Sequence, residues 1–218
     1  DGANDGSAER PWRSLQEVID KGVVESRVWA SLPYKSDSSL VPKHSGAPVK
    51  AGDTIWLRSG YYGDLVIQGY YNADDITIHA ADGHAPRFRS VRLRSSSHWA
   101  LKALHVSPEF GSGEKPRTLI DLESHGWQGP IHDILVEDCV LRSAEDTSHW
   151  SAEQWNERSG NGIEADGTRI TVRRKRLEKQ FHGGRVRIRN NLVAQYFPEL
   201  DCFWNNAGAE NLAIVRQY

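Results

Sequence analysis

Apolar and polar residues alternate in short segments along the chain from residue 53 onward. The segments include "DTIWL", "DLVIQG", "DDITIHA" and "HDILVEDCVLRS", and Gly, Asp and Asn separate them. Alternation with a period of two is typical of strands that bury one face, and helical periodicity is absent from this region. Many short strands at close intervals predict an all-β fold.

The segments repeat one another. The frame Ile134-x-Val136-x-x-Cys139-x-Leu141 aligns with other stretches of the chain. Its copies begin at Ile76, Trp99, Ile134, Ile170, Val186 and Leu212. The intervals range from 16 to 36 residues, which excludes a propeller of uniform blades and predicts a solenoid with loops at some corners. The 16-residue interval before Val186 is short for a full coil.

The first 52 residues follow a different pattern. Pro11 suits the first turn of a helix, and Ser14 and Glu17 have the spacing of a capping box. Residues 1–22 therefore predict a helical cap, 23–52 a long loop or insertion, and 53–218 the coils of a single domain. The chain stops in mid-coil, and a solenoid end needs a cap. We therefore expect either a further C-terminal segment or a partner subunit in a homo-oligomer.

Three stretches carry a resemblance to a known family: "AGDTIWLRSGYYGDLVIQGYYNADDITIHAADG", "HDILVEDCVLRS" and "GIEADGTRITV". The chain resembles the right-handed parallel β-helix proteins of the polysaccharide lyase type, in particular the alginate lyase and chondroitinase B branch. The opening "NDGSAERPWRSLQEVID" is similar to the helix that caps the first coil in such chains. The resemblance covers residues 1–193, but the family's Asn-Lys-Ser base motif is not found.

The resemblance implies a right-handed parallel β-helix (solenoid) with an N-terminal capping helix, and a lyase that cleaves uronate-containing polysaccharides by β-elimination. It also implies an inward turn position at Cys139, Lys175 and Asn191. Cys139 and Asn191 suit a buried ladder, whereas Lys175 departs from it because an unpaired buried ammonium is costly.

Charge and composition narrow the list of partners. The net charge is -2 over 218 residues, and no apolar run approaches the ~20 residues of a membrane helix. The basic stretch 168–190 alternates with core residues and has no interleaved aromatic platform, so we expect no nucleic-acid binding. The chain begins at Asp1, which we interpret as trimming of a secreted or periplasmic protein.

Outward positions of the repeat frame are expected to stack into columns on neighbouring strands. One column would hold His79, Lys102, Glu137, Arg173 and Arg189. A second would hold Thr77, Ala100, Leu135, Thr171 and Arg187. Such columns are either a groove for an anionic polymer or a solvated sheet face, and the sequence leaves both interpretations open.

A lyase needs a base beside the uronate carboxylate and a cation that takes up the developing charge. The candidate catalytic residues are Lys102 and Lys175 as bases, and Arg173 and Arg189 as neutralising cations. The candidate substrate-binding residues are His79, Glu137, Arg187, Trp127, Trp150 and Trp155. The three tryptophans lie in loops, where an indole either stacks on a sugar or covers the loop's own small core.

Calcium is the candidate cofactor, because Ca²⁺ takes several oxygen ligands. The candidate ligands are Glu137, Asp138, Glu164 and Asp166, although none has the spacing of a dedicated calcium loop. Two alternatives to the lyase stay open. One is a β-helix glycoside hydrolase that uses Glu137 with Glu164 or Asp166 as an acid/base pair. The other is a polysaccharide-binding β-helix without catalysis.

Overall fold

A computed structural model describes residues 4–144, 146, 148–151, 153–154, 158 and 160–173. Five further strands are described as backbone: 176–177, 186–189, 192–195, 203–205 and 212–215. Lys175, Asn191, Cys202 and Trp155 lie outside the described residues.

The N-terminal helix is the one that the sequence predicts. Helix α1 spans Leu15–Asp20, and the side chain of Ser14 accepts a hydrogen bond from the Glu17 amide at 3.3 Å. Leu15, Val18 and Ile19 are buried on one face of α1, against the core of the β region. The capping-box spacing is therefore confirmed in its first half, the bond from Glu17 N to Ser14.

The described residues are mostly in strands, which confirms the all-β prediction, and three parallel sheets contain most of these strands. The seven-stranded sheet consists of β3 (Thr54–Leu57), β6 (Tyr71–Ala80), β9 (Ser97–Lys102), β12 (His132–Glu137), β15 (Thr168–Arg173), β18 (Leu192–Gln195) and β20 (Leu212–Val215). The five-stranded sheet consists of β4 (Gly60–Tyr61), β7 (Pro86–Phe88), β10 (His105–Val106), β13 (Val140–Leu141) and β16 (Arg176–Leu177). The six-stranded sheet consists of β5 (Asp64–Gln68), β8 (Ser90–Arg94), β11 (Thr118–Glu123), β14 (Asn161–Asp166), β17 (Val186–Arg189) and β19 (Phe203–Asn205). From β3 to β17, every three consecutive strands contribute one strand to each sheet, in the same order.

One apolar core joins the three sheets and α1. Its inward residues come from alternate positions, such as Trp99 and Leu101 in β9 and Ile134 and Val136 in β12, which are at most 1% exposed. Burying a side chain of this size contributes about 1.5–3 kcal/mol. The alternation seen in the sequence is therefore the boundary between this core and the outer sheet faces.

Cys139 is a buried free thiol, as the sequence predicts. Its Sγ donates to the carbonyl oxygens of Glu137 at 3.4 Å and Leu101 at 3.6 Å. The thiol therefore lies inside the corner that follows β12.

Two sequence predictions need correction. Residues 23–52 are not irregular throughout, because β1 (Ser26–Trp29) and β2 (Leu40–Lys43) form an antiparallel pair. This pair is anchored to β6: Ser26 Oγ donates to Asn72 Oδ1 at 2.7 Å, and Arg27 Nε donates to the Tyr71 carbonyl at 3.3 Å. Burial in this hairpin does not follow polarity, because Ser26 is buried whereas Val41 and Pro42 are exposed, and apolar alternation therefore does not reveal it.

The second correction concerns the copy that begins at Val186. Strand β17 pairs with β14 in the six-stranded sheet, whereas the partner of Ile170 in the seven-stranded sheet is Leu192. The copies at Ile76, Trp99, Ile134, Ile170 and Leu212 do share the seven-stranded sheet. Strands of different sheets carry the same two-residue alternation, so the pattern does not distinguish one sheet from another.

Candidate functional site

The outer face of the seven-stranded sheet carries three parallel columns of side chains, each running across the strands. We call the first the Glu137 column, and the pairing register defines it as Trp56, His79, Lys102, Glu137 and Arg173. The central strip consists of Thr77, Ala100, Leu135 and Thr171. The third, which with its neighbours we call the Asp133 cluster, contains Asp75, His98, His132, Asp133 and Arg169.

Glu137 holds the first column together. Its carboxylate forms salt bridges with the strands on either side. Lys102 Nζ in β9 lies 3.2 Å from Oε2, and Arg173 Nε in β15 lies 2.6 Å from Oε1. Glu137 is only 2% exposed, whereas the Lys102 and Arg173 side chains remain 29% and 38% exposed. The two cations therefore cover the carboxylate and present their own charge to solvent.

Two opposing effects set the ionisation of Glu137. Burial raises the pKa of its carboxyl, but the hydrogen bonds and charges of Arg173 and Lys102 outweigh burial and bring the pKa below the usual range. Glu137 is therefore a carboxylate at neutral pH, and the column carries a net positive charge along this edge.

An aromatic side chain closes the N-terminal end of the column. Trp56 is 59% exposed, and its ring lies 4.8 Å from that of His79 in an edge-on arrangement. Trp56 also lines a cleft of about 530 Å³ between β3 and the N-terminal segment. An exposed indole beside a row of cations combines a flat apolar face with positive charge.

The pairing register changes the other end of the two predicted columns. Beyond Arg173 the next residue in register is Gln195, and beyond Thr171 it is Val193, so Arg189 and Arg187 do not belong to this face. Both arginines lie in the six-stranded sheet, with Arg187 level with Glu164 and Arg189 level with Asp166. Their side chains are outside the described part of the chain.

The Asp133 cluster lies along the other side of the central strip. Arg169 donates to both oxygens of Asp133, at 2.5 Å from Nε and 2.6 Å from Nη2. His132 Nδ1 lies 2.7 Å from Asp133 Oδ2. His98 lies between two carboxylates, with Nδ1 at 3.4 Å from Asp75 and Nε2 at 3.6 Å from Asp133.

Arg169 dominates the electrostatics of this cluster. Its hydrogen bonds lower the pKa of Asp133 to about 2, with a smaller contribution from His132 and against the effect of burial. The Asp133 side chain is 22% exposed and those of His98 and His132 are 34% and 25% exposed. The two imidazoles are therefore accessible and lie beside a carboxylate that is ionised throughout the neutral range.

The backbone of the cluster is unusual. His98, Asp133 and Arg169 occupy level positions in β9, β12 and β15, and all three have left-handed φ values of 57°, 55° and 53°. Non-glycine residues rarely adopt this conformation, because Cβ crowds the backbone. Three successive strands thus share one kink.

A chain of rings connects the cluster to the hairpin β1–β2 and to the loop 124–131. The ring centroid of Tyr71 lies 6.2 Å from that of His132 and 4.9 Å from that of Trp29. The Trp29 centroid in turn lies 4.8 Å from that of Tyr34. The amide of Tyr34 donates to the carbonyl of Trp127 at 2.7 Å. Trp127, 57% exposed, therefore lies on the side of the sheet that carries the cluster.

Trp150 is in a different place. It is partly buried in the loop after β13, and Lys115 Nζ lies 5.7 Å from its ring. That loop leaves the corner between the five-stranded and six-stranded sheets, so Trp150 belongs to another corner than Trp127.

The central strip is narrow, and its side chains are short. Ala100 is 1% exposed and Thr77, Leu135 and Thr171 are partly buried. Residues four apart in a strand are about 13 Å from each other, which sets the approximate width between the two charged rows. Neighbouring strands repeat every ~4.8 Å along the column direction.

The candidate calcium ligands are not brought together. Glu137 and the exposed Asp138 lie at the end of β12, whereas Glu164 and Asp166 lie in β14 of the six-stranded sheet. The Glu137 carboxylate is also already paired with the side chains of Lys102 and Arg173. Among the described residues, no group of three or more His, Cys, Asp or Glu side chains is placed to hold a metal ion.

The outer face of the six-stranded sheet carries its own rows of opposite charges. Arg92, Asp121 and Glu164 are in register, as are Arg94, Glu123 and Asp166. Burial raises the pKa of Asp121 against the opposing effect of Arg92, and the Glu123 and Glu164 carboxylates raise it further. This sheet therefore contains a carboxyl whose proton is held more tightly than usual.

The site residues predicted from the sequence do not include the Asp133 cluster or Trp56. The signal for the cluster was present in the repeat frame, because Asp75, His98, Asp133 and Arg169 each immediately precede the first apolar position of a copy. Reading that column as well as the two that follow it would have placed four chemistry-bearing residues in one row.

Comparisons with protein-family models, with curated proteins and with solved structures return no match. In the described part of the chain, no helix has the length and apolar character needed to cross a membrane.

Proposed function

We propose that this chain is a right-handed parallel β-helix and a polysaccharide lyase, which cleaves a uronate-containing polymer by β-elimination. The three parallel sheets, visited in a fixed order, support the β-helix part of the proposal. Connections between parallel strands are right-handed in nearly all proteins, which favours that hand here.

The observation that carries the functional proposal is the Glu137 column beside the central strip. A polymer of acidic sugars presents one carboxylate after another along its length. The column offers a corresponding row of cationic side chains, Lys102 and Arg173, that ends at the exposed Trp56. Partly exposed cations fixed by a buried carboxylate are held in place before a ligand arrives, and such preorganisation favours binding.

The proposed roles follow from these contacts. Arg173 binds the uronate carboxylate and stabilises the charge that develops on it during removal of the neighbouring proton. Lys102 is the candidate base of this column, and to act it must leave Glu137 and lose its proton. If calcium is required, it would supply the same kind of charge stabilisation as Arg173, and the exposed Asp138 that follows β12 is the candidate ligand.

The proposal extends to the setting of the protein. We propose a secreted or periplasmic location, where such polymers occur, and an acidic polysaccharide as the partner in place of nucleic acid or a membrane.

The test is a panel of uronate polymers with and without calcium, followed by ultraviolet absorbance of unsaturated uronate. We expect one polymer to respond, and Arg173→Ala and Lys102→Ala to reduce its turnover at least 100-fold. Arg10→Ala and Lys21→Ala are the matched controls, because each removes an ion-paired cation of the N-terminal region. Unchanged turnover in both column variants would exclude the column as the site.

Asp121 favours a second candidate function, a glycoside hydrolase. The raised pKa of Asp121 suits a general acid, and Glu164 lies level with it on the neighbouring strand, where it could act as the second carboxylate of a glycosidase pair. Chain cleavage without an unsaturated product, abolished by Asp121→Asn, would select this function. The acid/base pair that the sequence suggests, Glu137 with Glu164 or Asp166, is divided between two sheets. Binding without any shortening of the polymer would leave a non-catalytic binding protein.

A further inference from the structure

The Asp133 cluster contains accessible imidazoles that the proposed carboxylate-binding column does not use. Its three kinked residues are His98, Asp133 and Arg169, where glycine or asparagine would fit the left-handed backbone at lower cost. Strained backbone that carries interacting polar side chains is often found at functional sites. The cluster also lies across the central strip from the column, on the same sheet face.

The contacts of His132 define which of its nitrogens is available. Nδ1 lies 2.7 Å from Asp133 Oδ2, and Asp133 is an acceptor because Arg169 keeps it ionised. Nδ1 therefore carries a hydrogen that it donates to Asp133, which leaves the lone pair of the neutral ring on Nε2. No described residue forms a hydrogen bond with Nε2.

A second contact at Nδ1 agrees less well with this tautomer. Arg169 Nη2 lies 3.3 Å from His132 Nδ1, and a guanidinium only donates. The Asp133 contact is shorter by more than half an ångström and joins a donor to a carboxylate, so it determines the tautomer. Arg169 acts on His132 mainly by fixing Asp133.

We propose that His132 is the proton-transfer residue of the polymer-cleaving site and that Asp133, held by Arg169, positions it. This inference rests on the proposed lyase function and names the base for it. In this inference His132 takes the place of Lys102 as the base, because Lys102 Nζ is engaged by the buried Glu137, and Lys102 keeps the role of binding the polymer. His98 belongs to the same cluster of charged side chains, and its ring centroid lies 6.3 Å from that of His132.

The reaction balances without a cofactor or an external oxidant. His132 Nε2 takes the proton from the carbon beside the carboxylate of a sugar that lies at the Asp133 cluster, where the 65% exposed Arg169 is the neighbouring cation; Arg173 then binds the carboxylate of another sugar, across the central strip. The electron pair of that C–H bond becomes the new carbon–carbon double bond, and the bond from the next carbon to the glycosidic oxygen breaks. The departing oxygen takes up a proton, which the imidazolium returns.

The experiment compares His132→Asn with the wild-type chain on the polymer that responds in the panel. Asparagine keeps an N–H donor near the position of Nδ1 and removes Nε2, so it retains the contact to Asp133. His84→Asn is the matched control, since His84 is exposed and its Nδ1 accepts from the Ser59 amide at 3.0 Å, an acceptor role that asparagine can fill. Thermal unfolding of each variant checks that the fold is retained, and His132→Gln serves if the asparagine variant unfolds.

We expect His132→Asn to lose at least 100-fold in kcat and to bind the polymer within threefold of wild type. Wild-type activity together with an active His132→Asn variant would overturn the assignment and leave the lyase proposal standing. A wild-type chain that cleaves no polymer in the panel would overturn the lyase proposal and this assignment with it.

Asp133→Asn tests the positioning role by a separate signature. In the wild-type protein, nitrogen NMR of the neutral His132 ring should show the Nδ1–H tautomer. In the variant we expect the Nε2–H tautomer, which is the ordinary preference, to gain population, together with a smaller loss of kcat than in His132→Asn. An unchanged tautomer would contradict the role of Asp133.

Discussion

The two charged rows on the seven-stranded sheet use a carboxylate in different ways. Glu137 lies in regular strand, is 2% exposed, and is contacted by cations from the strands on both sides. Asp133 lies at a left-handed kink, is 22% exposed at its side chain, and shares its oxygens between Arg169 and His132, with His98 Nε2 also 3.6 Å away. The first arrangement fixes three strands to one another, whereas the second keeps titratable rings at the surface beside a fixed charge.

This difference separates stability from chemistry on one surface. A carboxylate covered by its partners contributes mainly by preventing two cations from being left unpaired. A carboxylate that orients a partly exposed histidine contributes less to folding and more to the direction in which a nitrogen points. The predictions below test this division, beginning with the largest expected effect on stability.

Glu137→Gln should destabilise the protein by about 3 kcal/mol, because it leaves Lys102 and Arg173 without their buried counter-charge. Asp133→Asn should cost about 1 kcal/mol, since Arg169 is 65% exposed and can be solvated. Urea unfolding of the two variants measures both values. Equal losses, or a larger loss for Asp133→Asn, would remove the distinction between the two rows.

Gly167→Ala should destabilise by about 2 kcal/mol, because overpacking against backbone is not easily relieved. A Cβ at this position would lie 2.5 Å from Ile131 Cγ2 and 2.6 Å from the Ile131 carbonyl oxygen. Gly167 precedes β15, so the strain should displace Arg169 from Asp133 more than it disturbs the Glu137 column.

The control for that variant is Gly126→Ala, where a Cβ would meet nothing within 4 Å. We expect its unfolding free energy to change by less than about 0.5 kcal/mol. The NMR chemical shifts of the His132 ring should change in Gly167→Ala and not in Gly126→Ala. Unchanged shifts in Gly167→Ala would show that the strain does not reach Arg169 and Asp133.

Acid should weaken the contribution of Asp133. Its pKa is lowered to about 2 in the folded protein from an ordinary value of 3.8, so the stability it provides is fully present above about pH 4 and is lost as the pH falls toward 2. After solvent screening at Arg169, we expect about 1 kcal/mol from this source. The difference in unfolding free energy between wild type and Asp133→Asn should therefore shrink across that window, and a difference that is independent of pH would contradict the assigned ion pair.

The smallest effect on stability is expected at the exposed indoles. Trp56→Ala and Trp127→Ala should each change the unfolding free energy by about 0.5 kcal/mol or less, since both rings are more than half exposed. If the polymer lies along the central strip, each variant should weaken its binding about fivefold, or about 1 kcal/mol. Affinity electrophoresis in gels that contain the polymer measures this; weakening by Trp127→Ala alone would move the binding surface toward the hairpin β1–β2.

The sequence predicted the Glu137 column because a strand places every second side chain on one face, and the apolar frame fixed which face. It did not place Arg187 and Arg189, because strands β15 and β17 have the same alternation and belong to different sheets. Only the pairing between strands resolves this ambiguity. The length of a full coil, 22 residues from Ile170 to Leu192, would have indicated it.

The Asp133 cluster shows another limit of pattern reasoning. Alternation predicts that His98, Asp133 and Arg169 face outward, but it contains no information about a left-handed kink shared by three strands. The approach of His132, from the inward-facing series, to Asp133 depends on that kink. Single histidines in the sequence therefore looked ordinary, and their proximity is a property of the fold.

The corners of the structure differ in how freely they accept extra chain. Two residues join the seven-stranded sheet to the five-stranded sheet after β9, β12 and β15, whereas eleven residues separate β10 from β11 and nineteen separate β13 from β14. Loop length costs little free energy once a loop is long, because the closure entropy grows only with the logarithm of its length. The corner that carries the long loops is therefore a natural insertion point. A reporter domain or an affinity module placed between Val106 and Thr118 should leave the register of the sheets intact. The proposed substrate-binding surface should then be unchanged as well.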